Sequence, residues 1–115
     1  MESIEKILKI LGDDNRFKIV KLLLNHDLCV GAIAYHLAIS KPAVSQHLQI
    51  LRKAGLVKGE KRGYWTHYMV ERNMLEQVAQ VLMDMAQQPV CTNGNCVRMP
   101  SDENNKDKIG GNENV

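Results

Sequence analysis

The stretch of sequence that decides the fold is residues 40–53, SKPAVSQHLQILRK. Ser40 is a favourable N-cap residue, and Pro42 falls in the first turn of a helix, where a missing N–H costs nothing. Val44, Leu48 and Leu51 recur at spacings of four and three, so they form one apolar stripe. The opposite face carries hydroxyls, amides, an imidazole and cations, and no carboxylate: Lys41, Ser45, Gln46, His47, Gln49 and Lys53. These groups suit base edges and phosphates, so the pattern predicts a helix that lies in the major groove of double-stranded DNA, with Ser40 at its start.

A shorter apolar helix is predicted immediately before this one, over residues 30–37, VGAIAYHL. Ile33 and Leu37 share one side of it, and Ala34 is small enough for close helix–helix approach. A short break at residues 38–39 separates the two helices. The arrangement predicts a helix-turn-helix.

A basic hairpin is predicted after the second helix. Gly55 is a natural helix-ending residue, and the β-prone runs 56–60 and 64–70 follow it. Residues 61–63, Lys-Arg-Gly, are predicted to form the hairpin tip. A basic hairpin behind a helix-turn-helix predicts a winged helix, in which Lys61 and Arg62 contact phosphates. Replacing either with alanine should therefore weaken binding about equally for all DNA sequences. The alternative is an ordinary charged turn.

Three further helices complete the prediction. An amphipathic helix ends at Gly12, and a second helix over about residues 15–25 is apolar almost all round, which predicts a central, buried helix. The last helix, about residues 73–88, has an apolar stripe broad enough to cover a partner subunit, although it could also simply cap its own domain. The predicted fold class is mainly α (α+β): a winged helix-turn-helix with about five helices and a two-stranded β-hairpin wing. Residues 1–90 form the domain, 91–98 a cysteine-containing segment and 99–115 a polar, disordered tail.

Length and composition agree with one small domain. The chain has 115 residues, of which 44% are hydrophobic and only 4% aromatic, as is common in helical cores. No apolar run approaches the roughly 20 residues of a membrane span, and no signal peptide opens the chain, so we expect a cytoplasmic protein. No nucleophile–base pair, phosphate loop or carboxylate pair is placed for catalysis, so an enzyme is not expected. A winged-helix protein-interaction module is the alternative of a different class, and it would show no salt-dependent DNA binding.

The order of predicted elements resembles that of the ArsR/SmtB family of bacterial winged-helix repressors. The matching strings are LGDDNRFKI (11–19), LCVGAIA (28–34), SQHL (45–48) and LRKAGLV (51–57), and the resemblance covers about residues 3–88. It implies a homodimer joined through the first and last helices, which binds an imperfect palindrome and is released by an inducer. Ala38 stands where the family often has glycine, and we expect an ordinary turn conformation there.

The cysteines are the feature of the sequence that indicates which inducer binds. Cys29 stands where the family's paired-thiolate motif begins, but Gly31 replaces the second thiol. Residues 73–88 contain no histidine, which argues against a zinc, nickel or cobalt sensor. Cys91 and Cys96 flank Asn93-Gly94, a strong turn signal. Three thiolates suit pyramidal coordination of trivalent arsenic or antimony, and cadmium(II) or lead(II) could also be held. Cys91 and Cys96, with Cys29 as the third ligand, are therefore the candidate inducer site, and no cofactor is expected for DNA binding itself.

Two other interpretations of the cysteines remain open. A dithiol switch between Cys29 and Cys91 or Cys96 would sense oxidants or persulfides without a metal. Cys29 could also be a small buried hydrophobic residue.

Overall fold

The computed structural model describes residues 3–91, and within them it contains five helices and one antiparallel hairpin. In chain order these are α1 (Ile4–Leu11), α2 (Asp14–Leu23), α3 (Val30–Leu37), α4 (Lys41–Lys53), β1 (Val57–Arg62), β2 (Trp65–Val70) and α5 (Arg72–Ala86). The predicted winged helix-turn-helix is confirmed, with α3 and α4 as the helix-turn-helix and the hairpin as the wing. Cys96 and the predicted tail lie outside the described residues.

Side-chain caps explain where three of the helices begin. Ser3, Asp13 and Ser40 stand in extended conformation, and their side chains accept the N–H of Lys6 (3.2 Å), Arg16 (3.1 Å) and Ala43 (3.2 Å). Each cap satisfies one of the N–H groups that the first turn of a helix leaves without a partner. The starts of these helices are thus encoded locally.

The core is built where the helices meet. Val44, Leu48 and Leu51 of α4 are at most 2% exposed, which confirms the predicted stripe. Helix α2 is less buried than its sequence predicts, because only Ile19, Val20 and Leu23 reach the core. Phe17 is 48% exposed. Helix α2 is central, as predicted, because it packs on α1, α3, α4 and β2, but it is only partly buried.

The turn between α3 and α4 corrects a second prediction. Ala38 adopts the left-handed conformation, with φ 56° and ψ 43°, rather than an ordinary one. The Ile39 N–H donates to the Ala34 carbonyl (3.2 Å) and the Ala38 N–H to the Tyr35 carbonyl (3.4 Å). This is the Schellman pattern, which needs a left-handed residue after the helix to satisfy its last carbonyls.

The wing corrects a third prediction. Lys61 and Arg62 belong to β1 and not to the tip, since Arg62 pairs with Trp65 across the hairpin. The loop is Gly63 and Tyr64, and Gly63 has φ 67°. A positive φ at the first loop position matches the twist of two-residue hairpins. Gly63 therefore places the loop at residues 63–64, whereas the sequence predicted residues 61–63.

A single bridge ties the wing to the helix-turn-helix. Leu28 pairs with Tyr68 of β2, with N–H to carbonyl distances of 3.4 and 2.8 Å. Leu28 directly precedes Cys29, the N-cap of α3, so the wing and the start of α3 are held together. Each helix between residues 3 and 91 is too short or too polar to cross a lipid bilayer.

Candidate nucleic-acid interface

The outer face of α4 presents the polar groups that the sequence singled out. Five residues of that set, together with the N-cap Ser40, are exposed: Lys41, Ser45, Gln46, Gln49 and Lys53. None of the thirteen residues of α4 is acidic. Arg52 and Lys53 stand in the last turn, and with Gln49 they line a shallow depression of about 270 Å³. The helix therefore offers phosphates and base edges a cationic, hydrogen-bonding surface that contains no carboxylate.

His47 differs from the rest of the predicted set because it turns towards α2. Its side chain is only 19% exposed, and its Nδ1 lies 3.4 Å from Arg16 Nη1 and 4.0 Å from Asp13 Oδ2. The structure thus places this imidazole at a helix junction, beside the outer face of α4 and not on its most exposed part.

The same junction joins three helices. Arg16 of α2 donates from Nε to the carbonyl of Ile10, in the last turn of α1 (2.8 Å), while its Nη1 lies against His47 of α4. The backbone N–H of Arg16 holds the pKa of the Asp13 carboxyl below its ordinary value, and the charges of Arg16 and His47 act in the same direction. The charged side chains of Asp13 and Arg16 therefore lie where α1, α2 and α4 meet.

The two wing cations have different surroundings. Arg62 donates to Glu60 Oε1 from Nε (3.0 Å) and Nη2 (2.8 Å), and also to Asp27 Oδ2 (3.1 Å). The hydrogen bonds to Glu60, and then those to Asp27, raise the pKa of Arg62 above its ordinary value. Lys61, on the opposite face of β1, forms no ion pair with any residue between 3 and 91. Lys61 is therefore available to a phosphate, whereas Arg62 is already shared by two carboxylates.

Two cysteines lie within the described part of the chain. Cys29 is half-buried and forms the N-cap of α3 without a side-chain capping hydrogen bond. Cys91 is exposed beyond the end of α5. No group of three His, Cys, Asp or Glu residues suited to a metal ion occurs between residues 3 and 91. Cys96 lies outside that range, so the three-thiolate site stays a prediction.

Sequence reasoning missed two features of this surface. One is the Asp13–Arg16 pair behind α4, although an acidic cap followed three residues later by arginine was visible in the string LGDDNR. The other is the pair of aromatic residues at the wing, Tyr64 and Trp65, which are 95% and 63% exposed. Their position next to Gly63 was the available signal.

Comparison with known proteins agrees with this geometry. The sequence profile of the family described as bacterial regulatory protein, arsR family, matches residues 13–58. An uncharacterized HTH-type transcriptional regulator of Methanocaldococcus jannaschii is 37% identical over 89 residues, which are 74% of this chain and 100% of that protein. The arsenical resistance operon repressor of Escherichia coli is 36% identical over 78 residues, which are 67% of this chain and 67% of that protein.

A solved structure described as a possible transcriptional regulator for arsenical resistance is also similar. It superimposes with a TM-score of 0.64 at 30% identity, covering 70% of this chain and 84% of that one. These matches cover 67–74% of this chain, much more than helix α4 alone. This chain therefore belongs to the arsR family of bacterial regulatory proteins, and it is a DNA-binding transcriptional regulator rather than an enzyme.

Proposed function

We propose that this protein is a cytoplasmic, homodimeric repressor that occupies an imperfect palindrome and leaves it when trivalent arsenic or antimony binds its cysteine thiolates. The ligands are Cys91 and Cys96, with Cys29 as the third. Cadmium(II) and lead(II) are the alternative metal inducers, because they also accept soft thiolate ligands.

The observation that carries the proposal is the placement of the two described thiols. Cys29 is the first residue of the helix-turn-helix, and Cys91 follows the helix that we expect to join the subunits. A bound ion that holds both would couple the end of α5 to the start of α3. Displacement of α3 would move α4, because the two helices are packed directly on each other. The inducer would then change the distance between the α4 helices of the two subunits. Simultaneous binding to both half-sites of the palindrome depends on that distance.

The chemistry of the inducer fits thiols without any further group. Arsenite, As(OH)₃, exchanges its three hydroxyls for three thiolate sulfurs, and each thiol proton leaves with a hydroxyl as water. No oxidant or reductant is consumed. The expected product is a trithiolate arsenic centre and three waters, and mass spectrometry of the intact chain would detect it as a gain of one arsenic and a loss of three hydrogens.

Exposed apolar surface supports the dimer. In α5 the side chains of Val81, Leu82, Met83 and Met85 are 38–59% exposed, and Leu8 of α1 is 38% exposed. Large apolar side chains clustered at the end of one helix are typical of a face that another chain covers. A second copy of the chain is the partner that this family resemblance favours.

The test is fluorescence anisotropy of a labelled duplex from the protein's own upstream region, bound by the full-length, reduced chain. We expect arsenite at low concentration to release the DNA. Cys91→Ser and Cys96→Ser should bind DNA as the wild type does and lose the response. Cys29→Ser should weaken the response, and Ser101→Ala, outside the thiol set, serves as the matched control that keeps it.

Two outcomes would contradict the metalloid proposal. One is release by arsenite from the Cys91→Ser, Cys96→Ser double variant. The other is release by an oxidant or a persulfide, with none by arsenite, reversed by added thiol. The latter result would support the dithiol switch between Cys29 and Cys91 or Cys96.

A further inference from the structure

The two ring nitrogens of His47 have different surroundings. Nδ1 faces the junction of α1, α2 and α4 and lies 3.4 Å from Nη1 of Arg16. Nε2 has no hydrogen-bond partner among residues 3–91, and it is not one of the buried polar atoms there that lack a partner. Solvent therefore reaches Nε2, so the ring has one nitrogen inside the junction and one at the surface.

Arg16 decides which of these nitrogens carries the proton of the neutral imidazole. A guanidinium group has donors and no acceptor, so Nδ1 accepts from Nη1 and the ring proton stands on Nε2. The carboxylate of Asp13 would favour the opposite tautomer, but its Oδ2 lies 4.0 Å from Nδ1, beyond hydrogen-bond distance. The same Oδ2 already accepts the backbone N–H of Arg16 at 3.1 Å. The nearer group, the guanidinium, therefore sets the tautomer.

The side chain of Arg16 is itself held in place. It is half-buried, and its Nε donates to the carbonyl of Ile10 at 2.8 Å. Its backbone N–H is bound by the Asp13 cap. Because the backbone and Nε are both fixed, the guanidinium has little freedom to turn away from His47, and DNA binding would require little further ordering of this pair.

The group that His47 presents at the surface is then a neutral N–H donor. It lies at the edge of the outer face of α4, next in the chain to the exposed Gln46. DNA offers acceptors to such a donor, namely phosphate oxygens and the N7, O6 and O4 atoms of base edges in the major groove. With Nδ1 occupied by Arg16, the ring meets DNA as a donor and not as an acceptor.

We propose that Arg16 is a positioning residue for DNA recognition. By donating from Nη1 to Nδ1, it fixes the ring of His47 as the Nε2–H tautomer and orients that N–H towards an acceptor atom of the DNA, while its own guanidinium does not touch the DNA. This inference rests on DNA binding by the family and on the predicted contact of His47, and it is independent of the inducer.

Nitrogen-15 NMR of the histidine rings tests the tautomer directly. The full-length, reduced chain is measured at mildly alkaline pH, where an imidazole is neutral. His47→Gln identifies the His47 signals by their loss. We expect Nδ1 to show the shift of an unprotonated nitrogen and Nε2 that of a protonated one, and Arg16→Met to give a mixture of both tautomers. A proton on Nδ1 in the wild type would make Asp13 the partner of the ring and would overturn the proposal.

DNA affinity tests whether Arg16 acts through His47. By anisotropy without inducer, His47→Ala and Arg16→Met should each weaken binding on the order of tenfold, as expected for the loss of one hydrogen bond. The double variant should bind as His47→Ala does, because the two residues act as one unit. Arg72→Met is the matched control: Arg72 Nη2 also donates to a helix-end carbonyl, that of Leu24 (2.7 Å), and forms no hydrogen bond with α4 within residues 3–91. It should bind DNA as the wild type does.

The salt dependence separates positioning from direct contact. Arg16→Met should leave the slope of log K against log salt unchanged, whereas a drop of about one would show that Arg16 binds a phosphate itself. That drop, or losses that simply add in the double variant, would overturn the proposal. Thermal melts establish that each variant is folded, and the wild-type NMR spectrum decides the tautomer even if Arg16→Met does not fold. Neither measurement contains an inducer, so a failure here is distinct from a failure of the metalloid proposal.

Discussion

At the scale of single residues, both helices of the helix-turn-helix end in the same hydrogen-bond pattern with different residues. After α4, Gly55 has φ 78°, the Leu56 N–H donates to the Leu51 carbonyl and the Gly55 N–H to the Arg52 carbonyl, both at 2.9 Å. After α3, Ala38 occupies the equivalent position with φ 56°. A Cβ is unfavourable in this conformation, so Ala38 is strained where Gly55 is not.

Ala38→Gly is therefore expected to stabilise the protein. The relief of left-handed strain exceeds the added entropy of glycine in the unfolded chain, and the net gain should be about 0.5 kcal/mol. Urea unfolding followed by circular dichroism measures it. Ala43→Gly, the same substitution inside α4, should destabilise by about 1 kcal/mol. A lower urea midpoint for Ala38→Gly than for the wild type would show that the left-handed position carries no strain.

The Asp13 cap predicts a dependence of stability on acid. Its pKa is lowered in the folded state, chiefly by the Arg16 N–H. A group whose folded pKa lies below the unfolded value stabilises the fold above about pH 4, and this contribution is lost as the pH falls through the folded pKa. Asp13→Asn keeps the cap without the charge, so its melting temperature should lie below that of the wild type at neutral pH, and the difference should shrink in strong acid.

Asp14→Asn is the control for this measurement. Asp14 is 90% exposed and reaches Lys18 only at 3.9 Å, so its removal should matter little at any pH. An equal effect of both substitutions would show that net charge, and not the capped junction, controls acid stability.

At the scale of elements, the sequence predicts helices better than the wing. Ser40 and the stripe of α4 are local signals, and the predicted helix coincides with the observed one to within a residue. The end of β1 could not be predicted from the charges of Lys61 and Arg62, because the loop position is decided by the positive φ of Gly63. The distant partners of His47 and Arg62 were also beyond prediction, since Arg16 and Asp27 are 31 and 35 residues away in the chain.

The unequal surroundings of the two wing cations lead to unequal roles. Lys61→Ala should reduce the salt slope of DNA binding by about one. Arg62→Ala should reduce it less, because the guanidinium is shared between Glu60 and Asp27. The sequence alone did not rank the two residues. Anisotropy titrations at several salt concentrations measure the slopes, and Asp27→Asn, which removes one competing carboxylate, should strengthen binding. Equal slopes for the two alanine variants would contradict this interpretation.

At the scale of the whole molecule, the described fold is incomplete without something that covers α5. Val78 is the only residue of α5 that is buried, whereas its C-terminal half is exposed and largely apolar. The sequence already indicated this, because the apolar stripe of α5 was broader than one domain needs. It could not tell which part of the stripe belongs to the core, since that depends on how far α5 extends beyond the other helices.

Leu82→Glu should separate the dimer while leaving each subunit folded. Leu82 is 43% exposed, so its replacement removes no core contact, but a carboxylate buried against a second copy would cost several kcal/mol. Sedimentation velocity should show a monomer, and DNA affinity should fall steeply because each half-site is then bound singly. Gln77→Glu adds the same charge at an exposed polar position of α5 and should remain dimeric. A dimeric Leu82→Glu protein with wild-type DNA affinity would place the subunit interface elsewhere.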